Sequence, residues 1–246
     1  MANLSKTAHV GSSLSSVDLL SVLYFNKLLI NESNWETRDI FVLSKAHAAL
    51  ALYSTLTLKG FIARKELLGY FQDKGTLPGH LDRLKGKGVE VSTGALGHGF
   101  NIALGMAYGY KLKNDKRQVY SIIGDGESME GSIWEGALFA PTLEVDNFTA
   151  FLDHNNLQGY GRTTELCHFE PIVDKWKAFG WETFRVNGHD FLEIIQALDA
   201  PHKGRPKMII ADTIKGKGVS FMENAMKWHY FMVSDEHKKQ ALRELR

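Results

Sequence analysis

The chain has 246 residues, enough for one large α/β domain or two small ones, and its apolar and charged fractions are those of an ordinary globular protein. A formal net charge of +1 excludes an electrostatically driven nucleic-acid binder. The single cysteine, Cys167, excludes an internal disulfide and fits a reduced, cytoplasmic setting; no signal peptide is visible, and no apolar run approaches the ~20 residues of a membrane span.

Leu14 to Leu29 is apolar at helical spacing, with Ser12 or Ser13 placed to cap its N-terminus. Ala46 to Lys59 reads as a second helix closed by Gly60, and Arg64 to Asp73 as a short third one before Gly75. Residues 74–94 are Gly-rich and weakly periodic, which predicts a long functional loop. Ala95 to Lys113 is a helix rich in small residues, among them Gly97, Gly99, Gly105 and Gly109. Each glycine costs ~1 kcal/mol against alanine, so close packing or close approach of a ligand at the Gly94–Gly99 end must compensate. Lys111, Lys113, Lys116 and Arg117 read as a solvated helix end.

The second half alternates. Strand 118–123, helix 131–140, strand 147–152, a loop to about 168, helix 170–179, strand 181–186, helix 190–198 and strand 207–212 follow in order. This predicts an α/β fold with a parallel sheet flanked by helices and right-handed crossovers, as a single domain over 1–246. Ligands of such sheets bind beyond the carboxyl ends of the strands. Gly124-Asp125-Gly126, Asn155 and Thr213 to Gly218 all fall there.

Gly124-Asp125-Gly126 is separated from Asn155-Asn156 by twenty-eight residues, and each half follows a strand-like run. An Asp and an Asn side by side offer oxygen ligands to a hard divalent cation, beside glycines whose N–H groups can meet phosphates. That spacing resembles the thiamine diphosphate signature. Further segments carry the likeness in order: His9-Val10-Gly11-Ser12-Ser13-Leu14-Ser15, Phe41 to Ala48, Leu77-Pro78-Gly79-His80, Thr93 to Gly99 and Gly124 to Gly131. Together they resemble the diphosphate-binding half of transketolases, in particular the N-terminal subunit of transketolases split into two chains.

The resemblance implies roles by position. Asp125, Asn155 and the carbonyl of Leu157 would hold Mg²⁺ or Ca²⁺ together with the diphosphate of the cofactor, thiamine diphosphate. Gly124 and Gly126 would let the backbone approach the diphosphate, His47 would donate to it, and Gly94 and Leu96 would meet the aminopyrimidine. Glu130 would lie near the dimer interface. His9, His80 and His229 match positions that handle sugar hydroxyls and would exchange protons with substrate, His229 also reaching the cofactor. Around His229 this chain reads Glu223-Asn224-Ala225-Met226 and Trp228-His229-Tyr230 where split subunits tend to show Glu-Asn-Asn-Pro and Trp-His-Gly. His98 stands where longer transketolases carry a glutamine. His154 is expected to pack or hydrogen-bond beneath the metal loop, and His168, His189, His202 and His237 to be surface or helix-end residues. No His/Cys cluster has zinc spacing.

In the family the activating glutamate and the arginines that read the sugar phosphate come from a second domain, which residues 1–246 do not contain. The resemblance therefore implies an obligate partner, the pyrimidine-binding C-terminal transketolase subunit, in a 2+2 heterotetramer acting on sugar substrates. It also implies a further helix before His9. Two alternatives share parts of the pattern: the α subunit of a 2-oxoacid dehydrogenase, against which the His9, His47 and His80 segments argue, and a cofactor-holding subunit without catalysis.

Overall fold

The computed structural model describes residues 1–30, 35–202 and 204–246. Five strands form one parallel sheet in the order β1-β2-β3-β5-β4: β1 is Ile40–Leu43, β2 Val119–Gly124, β3 Phe148–His154, β4 Glu182–Asn187 and β5 Lys207–Asp212. β2, β3 and β5 are buried on both faces, which is why they read as strongly apolar runs. β1 went unrecognised in the sequence: four residues between Asp39 and Ser44 are too few to show a pattern.

Helices cover both faces. On one lie α1 (Val10–Leu14), α2 (Val17–Val22), α3 (Ala49–Leu58) and, later in the chain, α7 (Phe191–Asp199). On the other lie α4 (His98–Leu112), α5 (Gly131–Phe139) and α6 (Ile172–Ala178); α8 (Asp235–Glu244) closes the chain and had no counterpart among the predicted elements. Leu20, Tyr53 and Leu56 meet Phe41, Ile122 and Ile209 on the first face, whereas Phe100, Ala103, Ile133 and Trp176 meet Val42, Ile123, Leu152 and Ile210 on the second. Alternate residues of one strand thus serve opposite layers.

The predicted helix 14–29 is replaced by α1, α2 and a π-turn at Leu23–Lys27, and its cap is neither Ser12 nor Ser13 but His9. The break has a cause. The hydroxyls of Ser15 and Ser16 donate back to the Ser12 carbonyl at 3.1 and 3.0 Å and also reach the Asp153 carboxylate, at 2.7 and 3.3 Å. Helix 46–59 becomes a 3₁₀ turn followed by α3, and Gly60, with φ +87°, follows its end as expected. Residues 64–73 form only a 3₁₀ turn over Arg64–Gly69.

α4 starts at Gly97, which has φ +79° and where a Cβ would lie 2.3 Å from Ser132 Oγ. A Cβ at Gly99 would lie 2.7 Å from the Ser44 backbone, so this glycine seats the helix against the end of β1. Close packing therefore accounts for Gly99, whereas Gly105 and Gly109 face open space.

Candidate active site

The loops after β1, β2, β3 and β5 converge at one edge of the sheet around a cavity of about 520 Å³. Its floor is a buried ion pair. Lys45, just past β1, donates to the Asp153 carboxylate near the end of β3, to the Ser12 carbonyl and to Ser16 Oγ, the last two at 3.0 Å. Burial acts to raise the Asp153 pKa, but the Lys45 charge and the hydroxyls of Thr213 and Ser15 outweigh it and hold the group below the usual carboxylate range.

Above this floor Asp125 is buried at the end of β2, and burial lifts its pKa to about 7, with the nearby Asp153 charge adding to the rise. Thr163 Oγ1 donates to its Oδ2 at 3.3 Å, while Oδ1 has no hydrogen-bond partner among the described residues. A buried carboxylate oxygen left without a partner is costly unless something else meets it. Asn155 Oδ1 accepts the Leu157 N–H at 3.2 Å, and Asn156 makes the turn with φ +58°. The cavity wall thus presents carboxylate, amide and carbonyl oxygens, the donor types of a hard divalent cation. Among the described residues, no group of three or more His, Cys, Asp or Glu is arranged to hold a metal.

Four imidazoles line the other end. The His9 ring centroid lies 5.4 Å from that of His47, 6.0 Å from His80 and 4.9 Å from His229. Burial, followed by neighbouring positive charge, pushes the pKa of His9 down to about 4 and of His229 to about 3, and holds that of His47 well below its ordinary value. His9, His47 and His229 are therefore neutral at physiological pH, each with one donor and one acceptor nitrogen, which suits hydroxyl groups. Lys215, after β5, is buried and donates to Ser12 Oγ at 2.9 Å, to His229 Nδ1 at 3.2 Å and to the Leu157 carbonyl at 3.4 Å. Its partners are all uncharged, and burial, then Lys45, pushes its pKa down to about 8.

The residues given catalytic, cofactor or metal roles in the sequence all line this one cavity: His9, His47, His80, Gly94, Leu96, Gly124, Asp125, Gly126, Glu130, Asn155, Leu157 and His229. The departure of sequence near His229 does not remove it from the cavity, because Trp228 is buried and anchors the turn. His98 is exposed at the start of α4, outside the lining. His154 donates to Asp212 at 2.6 Å and stacks on Phe169, as expected of a residue beneath the loop. His189 stands at a helix end as expected, just before the N-cap of α7; half-buried there, it meets Asp18 at 2.6 Å and accepts the Ile214 N–H at 2.8 Å, pinning the start of the Lys215 loop.

Sequence reasoning also missed Lys45, Lys215 and Glu127. Glu127 is buried, accepts from Ser44 Oγ, Gly97 N–H and Gly124 N–H, and so ties three loops of the cavity together; burial lifts its pKa to about 7. The only signal available was that Lys45 and Glu127 stand inside the motif segments.

A parallel sheet with its cavity and glycine loops at the carboxyl edge of the strands is the architecture of an α/β ligand-binding domain. The sequence matches the thiamine diphosphate binding domain of transketolase over residues 2–245, and the chain belongs to the transketolase family. It is 43% identical over 242 residues to the 6-deoxy-6-sulfo-D-fructose transketolase subunit SqwG of Clostridium sp. (strain MSTE9), covering 96% of this chain and 88% of that one. It is 40% identical to an apulose-4-phosphate transketolase subunit of Phocaeicola vulgatus, covering 98% of this chain and 86% of that one. The crystal structure of transketolase from Campylobacter jejuni superposes with a TM-score of 0.90 at 32% identity, over 99% of this chain but only 40% of that longer one. These likenesses support transketolase activity in a two-chain enzyme of which this is the N-terminal subunit. Among the described residues no helix is long and apolar enough to cross a membrane.

Proposed function

We propose that this chain holds the charged tail of thiamine diphosphate in a cytoplasmic two-chain transketolase, which moves a two-carbon ketol unit from a ketose to an aldose. We read residues 1–246 as one diphosphate-binding domain. Its partner is the pyrimidine-binding C-terminal subunit, two copies of each making the active assembly. The sulfofructose and apulose-4-phosphate relatives favour a ketose with a phosphate or sulfonate terminus. The cofactor, when bound, supplies the nucleophilic carbon and the electron sink for ketol cleavage.

This chain's residues bind and move protons. Asp125, Asn155 and the Leu157 carbonyl hold Mg²⁺ or Ca²⁺, which the unpartnered Oδ1 of Asp125 supports. Gly124 and Gly126 bring the backbone to the diphosphate, while His47 and the ammonium of Lys215 offer it donors. Gly94 and Leu96 meet the aminopyrimidine, and Glu130 faces the partner. His229 touches both cofactor and sugar. His9, His80 and His229 accept a proton from one sugar hydroxyl and return one to the product; His9 and His229 are neutral before substrate arrives.

The observation that carries this reading is the convergence of these residues, drawn from four strand ends and two further loops, on one cavity. The test is ketol transfer by the chain mixed with its partner. Asp125→Ala and His80→Ala should each lower turnover by about 100-fold or more. Unchanged turnover in both variants, or full activity of this chain alone, refutes the proposal.

A further inference from the structure

We infer that Tyr230 is a specificity-determining residue whose ring walls the mouth of the cavity and selects the ketose by the bulk of its chain beyond the transferred carbons. The inference rests on the ketol-transfer reading.

Tyr230 follows His229 at the end of the 3₁₀ turn Met226–His229. The turn is rigid because Trp228 is buried beneath it, with Nε1–H donating to the Phe221 carbonyl at 2.7 Å and the indole edge-on to His237. From this anchor the Tyr230 ring stands edge-on to His229, with centroids 4.6 Å apart at 70°, and 6.3 Å from the ring of His9. Its phenol end reaches the loop after β3. A Cβ built on Gly159 would lie 2.3 Å from Tyr230 Oη and 3.4 Å from His229 Nε2, so the absence of a side chain at 159 gives the ring its place. One side chain thereby joins the His229 turn to the loop that follows the proposed cation ligands.

Core packing does not account for this residue, since Tyr230 is 54% exposed while lining the cavity. Among the described residues its hydroxyl makes no hydrogen bond that would fix the turn; Trp228 already does so. What the ring contributes is shape, directly beside the two imidazoles that meet the sugar hydroxyls. A ketose chain lying along His9 and His229 runs into it, whereas a donor without a sugar tail does not reach it.

The test uses the enzyme assembled with its partner and two donors of the same ketol unit: a long-chain ketose with a terminal phosphate or sulfonate, and a hydroxylated 2-oxo acid that leaves carbon dioxide in place of an aldose. Removing the wall with Tyr230→Gly, or Tyr230→Ala if the glycine variant melts early, should raise kcat/KM for the longer ketoses about tenfold relative to the 2-oxo acid. Tyr230→Phe should keep the wild-type ratio. Equal change for both donor classes, or a Phe variant that behaves like Gly, overturns the inference. A wild-type enzyme that uses neither donor would refute the ketol-transfer reading itself, and the inference with it.

Discussion

Replacing Lys215 with Met should stabilise the cofactor-free protein while weakening cofactor binding, two effects of opposite sign from one substitution. Lys215 is 1% exposed, and its three hydrogen bonds go to Ser12, His229 and the Leu157 carbonyl, none of them a carboxylate. Burial and the nearby Lys45 charge lower its pKa from 10.5 to about 8. At neutral pH that fall is equivalent to at most ~3 kcal/mol of destabilisation. Losing the hydrogen bonds of Nζ costs ~1–2 kcal/mol, so a net gain of ~1–2 kcal/mol remains, or ~2–4 °C in Tm. Because the folded pKa is the lower one, the unfolded state binds more protons between about pH 8 and 10.5, and wild-type stability gains there. The advantage of Lys215→Met should therefore shrink as pH rises through 8. Binding of thiamine diphosphate should weaken by roughly 30–100-fold, the loss of one charge-assisted contact to an anion. Thermal melting of the apoprotein from pH 7 to 9 and cofactor titration of the assembled enzyme provide the assays. A lower apo Tm, or unchanged cofactor affinity, would refute the argument that Lys215 is held charged for an anionic ligand.

Asp153→Asn removes the countercharge of a buried Lys45 and should cost ~3–5 kcal/mol in urea unfolding, far more than an exposed pair would. Gly99→Ala sets a methyl against the Ser44 backbone and should destabilise by ~1–3 kcal/mol, whereas Gly105→Ala on the same helix meets open space and should stabilise by ~0.5–1 kcal/mol in the isolated chain. Equal effects at the two positions would show that packing does not distinguish them. His9, held down to about 4 by burial, then by His80 and Lys215, takes up fewer protons when folded than when unfolded between that value and 6.5. Stability should accordingly fall as pH drops from 6.5 towards 4, and His9→Asn should flatten that dependence in denaturation midpoints measured against pH.

The parts of the fold legible in the sequence were those whose cause is local. β2, β3 and β5 announce themselves because burial on both faces demands strongly apolar runs, and Gly60 marks the end of α3 through its own backbone conformation. The break between α1 and α2 was not legible, because Ser15 and Ser16 are drawn out of a continuous helix by Asp153, which lies far along the chain. The same distinction divides the site. Residues that present backbone or side chains at strand ends could be picked out from turn chemistry and motif order. Lys45, Glu127 and Lys215 could not, since in sequence a charged residue in a loop reads as solvated and only the assembled fold shows it buried.

Those buried charges explain why the cavity has the chemistry it does. Lys45 and Asp153 compensate each other and close the floor. Among the described residues Asp125 and Lys215 form no such pair: the carboxylate keeps Oδ1 unpartnered, and the ammonium is met only by uncharged atoms. If internal neutralisation were the purpose of this site, the two opposite charges lining one cavity would be in contact. Asp125 stands after β2 and Lys215 after β5, and neither is neutralised by the other. That arrangement supports the proposal that a divalent cation would meet Asp125 and a diphosphate would meet Lys215, which would satisfy both charges.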